Sequence, residues 1–526
     1  MQLTRRDLMG LMGTLAGAGS GLLTRAFPAF AAQSGKQEGE ETAIAKGPFQ
    51  ATRASLESYQ VPDWFRDAKF GIWAHWGPQS AIEDGDWYAR NMYMQGSDQY
   101  DYHVQHYGHP SQFGYKDTIP AWKAEKFDPV HLMQLYKKAG AKYFMSMGCH
   151  HDNFDLWNSR HNPWNAAAMG PHKDIVGLWR EAARREGLKF GVSEHLWISY
   201  KWFSVNHGSD KEGPLAGVPY DGANPQFKDL YIDSDQIWTD LDWNESGIPA
   251  WWKQTWFRRI KDLLDHYELD LLYTDGALPF EDYGYSAVAH LYNLSAQRNG
   301  GKVDAVYFSK RDEDALQGTC VLDRERGVLS EISPRPWQTD TCIGQWHYKR
   351  GENYKTAKRV VDMLVDIVSR NGNLLLNFPL PASGELDLEE QDILAGITEW
   401  VSVNGEAIFA TRPWKIAGEG PPAVPKEAAS QSFNESQRHD LTAEDVRFTT
   451  KAGALYIFVM GWPDFHVQIK SLAEDTALRV GKVENVELLG DGRKLTWQQD
   501  RAGLTILLPR EAPSKHAVVF KVTGAI

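Results

Sequence analysis

The stretch Glu268-Leu269-Asp270-Leu271-Leu272-Tyr273-Thr274-Asp275-Gly276 is a short, mostly apolar run that ends on a carboxylate and a glycine. Such a run fits a strand buried on both faces of a parallel sheet. The segment before it carries Trp252, Trp256, Ile260, Leu263 and Tyr267 at helical spacing, so helix and strand form one unit. A carboxylate at the carboxyl end of a parallel strand faces a ligand crevice rather than the core. Asp275 is therefore the first candidate for chemistry.

The same unit recurs on both sides of this stretch. Leu132, Leu135, Tyr136 and Ala139 mark a helix face stopped at Gly140, and the strand Lys142–Met147 leads to His150-His151-Asp152. Ile175, Leu178, Trp179 and Ala182 mark another, stopped at Gly187, and the strand Leu188–Val192 leads to Ser193-Glu194-His195. Val360, Met363, Leu364 and Ile367 mark a further one, followed by the strand Leu374–Phe378. Repeated helix–strand units imply a parallel sheet, and a parallel barrel gathers all the carboxyl ends on one face. On that arrangement His150, His151, Glu194, His195 and Asp275 share a pocket. Paired His and a lone Glu are not ordinary turn residues, which favours function over loop chemistry.

Beyond this region the pattern changes. The run Gly418-Glu419-Gly420-Pro421-Pro422 and the polar residues to Ser436 read as a linker or long loop. Short alternating segments follow at 455–459, 486–489, 504–508 and 517–522, with turns such as Gly490-Asp491-Gly492 between them. These predict an all-β sandwich, packed on the barrel as a structural partner. At the other end, Arg5-Arg6, an apolar Gly- and Ala-rich run to Leu23 and Ala29-Phe30-Ala31-Ala32 have the form of a Tat-type export signal. The expected organisation is a signal over 1–32, a flexible lead-in over 33–47, a barrel over 48–415 and the sandwich over 416–526. The expected location is periplasmic or secreted, with no membrane attachment after signal cleavage.

The totals agree with this division. A chain of 526 residues exceeds one ordinary core. A net charge of −13 argues against a nucleic-acid partner. Three cysteines make no disulfide framework; Cys149 reads as a small core residue, and a Cys320–Cys342 bridge is left open. The 21 Trp residues suit a packed core and also a sugar cleft, where an indole face lies against a pyranose.

Several separate motifs resemble those of the α-L-fucosidases of glycoside hydrolase family 29. They are Trp64–Gly77, Asp86–Tyr93, Ala139–Tyr143 leading to His150–Trp157, Tyr273-Thr274-Asp275-Gly276, Gly372–Asn377 and Asn404–Phe409, in the family's order. The resemblance covers roughly residues 50 to 415. It implies a (β/α)8-like TIM barrel with a C-terminal β-sandwich, and retaining hydrolysis of terminal α-L-fucosides on an oligosaccharide or polysaccharide. It implies no cofactor, because two carboxyl groups about 5–5.5 Å apart suffice. It makes Asp275 the nucleophile and His75, Trp87, His150 and His151 sugar-binding residues. The family's orienting Arg maps approximately, to Lys310 or Arg311.

The acid/base residue departs from the pattern. Many members supply it from a Trp-Glu pair, and the matching pair here is Trp337-Gln338, which has no titratable proton. Glu325 and Glu331 are the near-equal replacements, with Glu194 and Glu281 behind them. Glu325 lies between Arg324 and Arg326, which would lower its pKa unless burial opposes them, whereas Glu331 has the freer setting. Glu194, Lys310 and Trp337 complete the expected substrate-binding set. Rival readings are an α-L-galactoside-like sugar, a metal-dependent hydrolase on His75, His150 and His151, and a non-catalytic glycan-binding barrel motivated by Gln338.

Overall fold

The computed structural model describes residues 42–526 apart from 423, 426–430, 479 and 480. The export signal expected over 1–32 and most of the lead-in lie outside the described residues. No helix among those described is long and apolar enough to cross a membrane.

Eight parallel strands close into a barrel: β1 (Phe70–Ala74), β2 (Tyr143–Cys149), β3 (Lys189–Glu194), β4 (Leu271–Thr274), β5 (Val306–Ser309), β6 (Val321–Asp323), β7 (Trp337–Cys342) and β8 (Gly372–Asn377). Closure is completed by β8 pairing with β1, Leu375 opposite Gly71. Six strands are buried throughout, and β1, β2, β4, β5 and β8 among them accordingly read as mostly apolar runs rather than alternations. Four of the eight carry the helix–strand pattern read from sequence. β5, β6 and β7 escape it because they are short or rich in polar residues, as in Trp337-Gln338-Thr339-Asp340-Thr341-Cys342.

The helices between strands start and stop where local chemistry dictates. Helix α1 (Pro129–Lys138) has Pro at its first position and Asp128 accepting from the His131 N–H. Helix α2 (Ile175–Glu186) is capped by Asp174 and closed by Gly187 at φ +76°. Helix α3 (Ala250–Tyr267) runs into β4, the strand that precedes Asp275, and α4 (Asp282–Arg298) leads to β5. Helix α5 (Ala357–Ser369) turns its wide apolar face to the barrel and its remaining buried face to the second domain.

The second domain is a five-stranded antiparallel sheet facing a three-stranded one. Its first strand, β9 (Arg412–Glu419), pairs with β10 (Val446–Lys451). β9 therefore takes up the stretch read as the start of a linker, and the expected boundary at 415/416 falls inside it. The domains share a buried core that includes Tyr456, Phe458 and Val519 from the sandwich. Nine Trp side chains, among them Trp76, Trp179 and Trp400, have almost no exposed surface. All three cysteines are buried and free, so Cys320 and Cys342 do not pair.

Candidate active site

Each barrel strand delivers a polar side chain at its carboxyl end. His75 follows β1, His150 and His151 follow β2, His195 follows β3, Asp275 follows β4, Lys310 follows β5 and Glu325 follows β6. Asp340 comes from within β7 and Asn377 ends β8. Together with five tryptophans (Trp73, Trp87, Trp197, Trp243, Trp346) most of these line one cavity of about 710 Å³.

The backbone at Asp275 is fixed from three sides. The Asp275 N–H donates to the Glu194 carbonyl at 3.2 Å, continuing the β3–β4 ladder. The Trp197 indole N–H donates to the Asp275 carbonyl. Gly276 stands at φ +126°, and a Cβ there would come within 3.1 Å of the Trp197 ring. The glycine is thus required by both dihedral and space.

Lys310 is the electrostatic centre of the site. Its Nζ lies 2.6 Å from Asp275 Oδ1, in direct contact with Glu325 Oε2, and 4.0 Å from Asp340 Oδ2. Two carboxylates on one ammonium nitrogen have their nearest oxygens within about 5 Å of each other, a close pairing of the kind a retaining mechanism uses. Burial works against ionising either group, and the two resolve it oppositely. At Asp275, the Lys310 ammonium overcomes burial and holds the carboxyl well below its usual range. At Glu325, burial wins over Lys310, helped by the negative charges of Asp340 and Asp275, and raises the carboxyl to about 7. One carboxyl kept ionised beside one kept protonated is the division of labour that acid–base glycoside chemistry needs.

The histidines form the floor. The His151 Nδ1–H donates to the His195 carbonyl at 2.7 Å, which turns Nε2 toward Asp275 Oδ2, 3.6 Å away. His195 Nδ1 is also 3.6 Å from that oxygen, and neither of its buried ring nitrogens has a hydrogen-bond partner. The Gln79 amide donates to His150 Nδ1 at 3.1 Å, leaving the proton on Nε2. His75 Nδ1 lies 3.3 Å from Asn377 Oδ1. Burial pushes all four imidazoles below their ordinary range, so they are neutral and can both donate to and accept from hydroxyl groups. Asp86, which accepts from His347 Nδ1 at 2.6 Å, and Trp87 close the wall.

The metal set expected from the sequence is not assembled as a unit. The expected trio of His75, His150 and His151 does not converge: His75 groups with His150 and His195, and His151 with His195 and Asp275. The Gln79 amide on Nδ1 also leaves His150 Nε2 protonated, and a protonated nitrogen is no ligand.

Six sequence expectations need correction. Trp337 is the first residue of β7, at the opposite end of the barrel. Its indole donates to the Arg370 carbonyl at 2.9 Å, and it lines a separate cleft of about 360 Å³. Gln338 points into the barrel, where it accepts from Tyr143 Oη at 2.9 Å and donates to Asp323 at 2.8 Å. It therefore does not occupy an acid position, and its lack of a proton takes nothing from the pocket. Glu331 is exposed and outside the cavity, as is Glu281. Glu194 is fully buried behind the pocket, accepting from the Leu196 N–H at 2.9 Å and the Trp256 indole, and burial raises it to about 8. Arg311 turns away to Asp314, leaving Lys310 in the pocket.

The sequence reading passed over Asp86, Trp197, Trp243, Asp340, Trp346, His347 and Phe433. Asp86 could have been found, because it precedes Trp87 in a quoted motif. Asp340 lies in a strand too polar to recognise, and nothing local marks Phe433, which comes from beyond the barrel.

Two family models match the chain, α-L-fucosidase over residues 37–406 and the α-L-fucosidase C-terminal domain over residues 438–523. The sequence is similar to tissue α-L-fucosidase of Homo sapiens, 28% identical over 486 residues, covering 89% of this chain and 91% of that protein. It is similar to the Bos taurus protein at 27% over 489 residues, covering 89% and 90%. In fold it resembles α-fucosidase of Thermotoga maritima, solved with a mechanism-based inhibitor (TM-score 0.68, 23% identity, 90% of this chain and 100% of that one). It also resembles α-L-fucosidase isoenzyme 1 from Paenibacillus thiaminolyticus (TM-score 0.62, 20% identity, 90% and 100%).

Proposed function

This chain belongs to the α-L-fucosidase family of glycoside hydrolases, and on that premise we propose that it cleaves terminal α-L-fucosides with retention, Asp275 acting as nucleophile and Glu325 as acid/base. The observation that carries this reading is the Lys310 bridge, which contacts both carboxyls at once and supports their pairing as nucleophile and acid.

In the first step an Asp275 oxygen attacks the anomeric carbon as the glycosidic C–O bond breaks, and Glu325 gives its proton to the departing oxygen. Oδ1 is held by Lys310, whereas Oδ2 faces the pocket histidines without a direct bond. Asp275 becomes an ester and loses its charge at the moment Glu325 acquires one. The charge thus crosses Lys310 without leaving it, and the ammonium stabilises both states unmoved. With the charge on Asp275 gone, the pKa of Glu325 falls and its carboxylate is suited to serve as base. It takes a proton from water, the oxygen attacks the anomeric carbon, and Asp275 leaves as a carboxylate. The neutral histidines hold the ring hydroxyls, with His195 supplying two unpaired nitrogens.

The decisive experiment is Asp275→Ala assayed on an aryl α-L-fucoside. We expect near-complete loss of turnover, partly restored by azide with inverted product. Near-normal turnover in this variant would falsify the assignment.

A further inference from the structure

Of the exposed large apolar side chains among the described residues, only Trp243 and Phe433 line the cavity. Trp243 packs among Trp87, Trp197 and His151, on the side that holds the sugar. Phe433 is different in every respect. It belongs to the segment between β9 and β10, outside the barrel sequence, and its side chain is 57% exposed.

That segment is stapled to the loop carrying Glu325. The Phe433 N–H donates to the Glu325 carbonyl at 2.8 Å, and the Glu435 N–H donates to the Arg326 carbonyl at 3.0 Å. Asn434 makes a pair of hydrogen bonds to the Val328 backbone, accepting from its N–H at 3.1 Å and donating to its carbonyl at 3.0 Å. The Glu435 carboxylate takes the Thr341 hydroxyl at 2.7 Å and Lys355 at 3.0 Å. Every one of these contacts uses backbone, Asn434 or Glu435, and none uses the Phe433 ring. Phe433 moreover holds φ +60°, ψ +20°, a left-handed conformation that a bulky side chain adopts only at a cost. A strained, solvent-facing aromatic beside an acid has no packing rationale.

Reaction geometry gives it one. The group that protonates the departing oxygen must sit on the leaving-group side of the scissile bond. The ring next to Glu325 therefore faces the first residue of the leaving group. The cavity also offers more room than one deoxyhexose fills. We propose that Phe433 is the stacking platform of the leaving-group subsite, binding the apolar face of a pyranose and favouring glycan over small aglycones. This rests on the reading of Glu325 as the acid. It gives the sandwich domain's connecting segment a part in substrate selection.

The test compares an α-L-fucosyl-galactose disaccharide with methyl α-L-fucoside, both with poor alkoxide leaving groups but only one of which carries a ring, and reads the change of their ratio from the wild type. In Phe433→Gly the disaccharide-to-methyl ratio of kcat/KM is expected to fall about tenfold, the scale of one lost aromatic anchor. Phe433→Asn, which also tolerates the left-handed backbone, should do the same, and Phe433→Trp should restore the ratio. The alkaline limb of the pH profile should stay in place. An unchanged ratio, whether both substrates are untouched or both decline together, overturns the proposal; a joint decline with a shifted alkaline limb would assign Phe433 to positioning Glu325 instead. If the wild-type protein turns over neither fucoside, the assignment of Asp275 and Glu325 fails first and takes the platform with it.

Discussion

Two buried charge clusters stand on either side of the barrel wall, and their compositions are inverted. At the strand ends a single ammonium, Lys310, faces Asp275, Glu325 and Asp340. Where the sandwich meets α5 a single carboxylate, Asp366, is met by Arg370 and by Arg447 at 2.5 Å and Arg438 at 3.0 Å. The arginines come from α5, the connecting segment and β10, so this cluster ties three parts of the chain together. Burial raises the energy of every ion in both. Around Asp366 the guanidinium groups overcome it and hold the carboxyl well below its usual range. Around Lys310 there are too few cations for the carboxyls, and one of them keeps its proton near neutrality. A surplus of cations makes a joint; a deficit makes an acid. Excess carboxylate would be a defect in a structural cluster and is the working condition of a catalytic one.

The comparison can be broken experimentally. The largest effect expected is at Asp275: alanine should lower kcat/KM on an aryl α-L-fucoside by about 10⁴ or more, as removal of a nucleophile does, measured with and without azide. Next is Glu325→Gln, which should lose about 10²–10⁴-fold on a disaccharide and far less on an activated aryl fucoside, since an acid matters most for a poor leaving group. Equal losses on the two substrates would return the acid to another carboxyl. In the structural cluster, Asp366→Ala should lower unfolding stability by about 3–5 kcal/mol, because it strands buried guanidinium groups; denaturant titration reads this. A change under about 1 kcal/mol, the value of an exposed pair, would remove the contrast.

The smallest effects are in pH dependence, and the two clusters differ in sign. Asp366 has a folded pKa below its unfolded one. Its contribution is complete above the unfolded value of about 3.9 and is lost as pH falls through the folded value. Acid unfolding of Asp366→Asn should lack that component. Glu325 has a folded pKa raised to about 7. It favours the folded state most at low pH and loses that contribution as pH rises from the unfolded value toward 7. Activity should decline through the same pH 7 region as the acid loses its proton, and a profile flat from pH 6 to 9 on a disaccharide would contradict the assignment.

The acid shows where sequence reading stops. Glu325 and Glu331 are six residues apart in one loop, and charge neighbours in sequence favoured Glu331. In the fold Arg324 turns to Asp312 and Arg326 to Glu435, so neither arginine sits on Glu325. Gln338 was matched to the family's acid on a dipeptide alone. In a strand, side chains alternate and height along the barrel axis sets whether a residue meets substrate or core. Gln338 stands too near the start of β7 to reach the pocket. Phe433 had no signal, because its importance comes only from a hydrogen bond to a residue far earlier in the chain.

What the sequence by itself determined is the periodic part of this protein: the helix–strand repeat, the barrel with its sandwich, and a carboxylate and histidines at strand ends. Those follow from local rules of side-chain spacing and from the way a parallel barrel collects its carboxyl termini. Tertiary structure alone decided which glutamate keeps its proton, which Trp faces sugar and which faces core, and which segment roofs the site. Protonation and exposure depend on burial and on charges brought from distant segments, and the order of residues along the chain does not encode those distances locally.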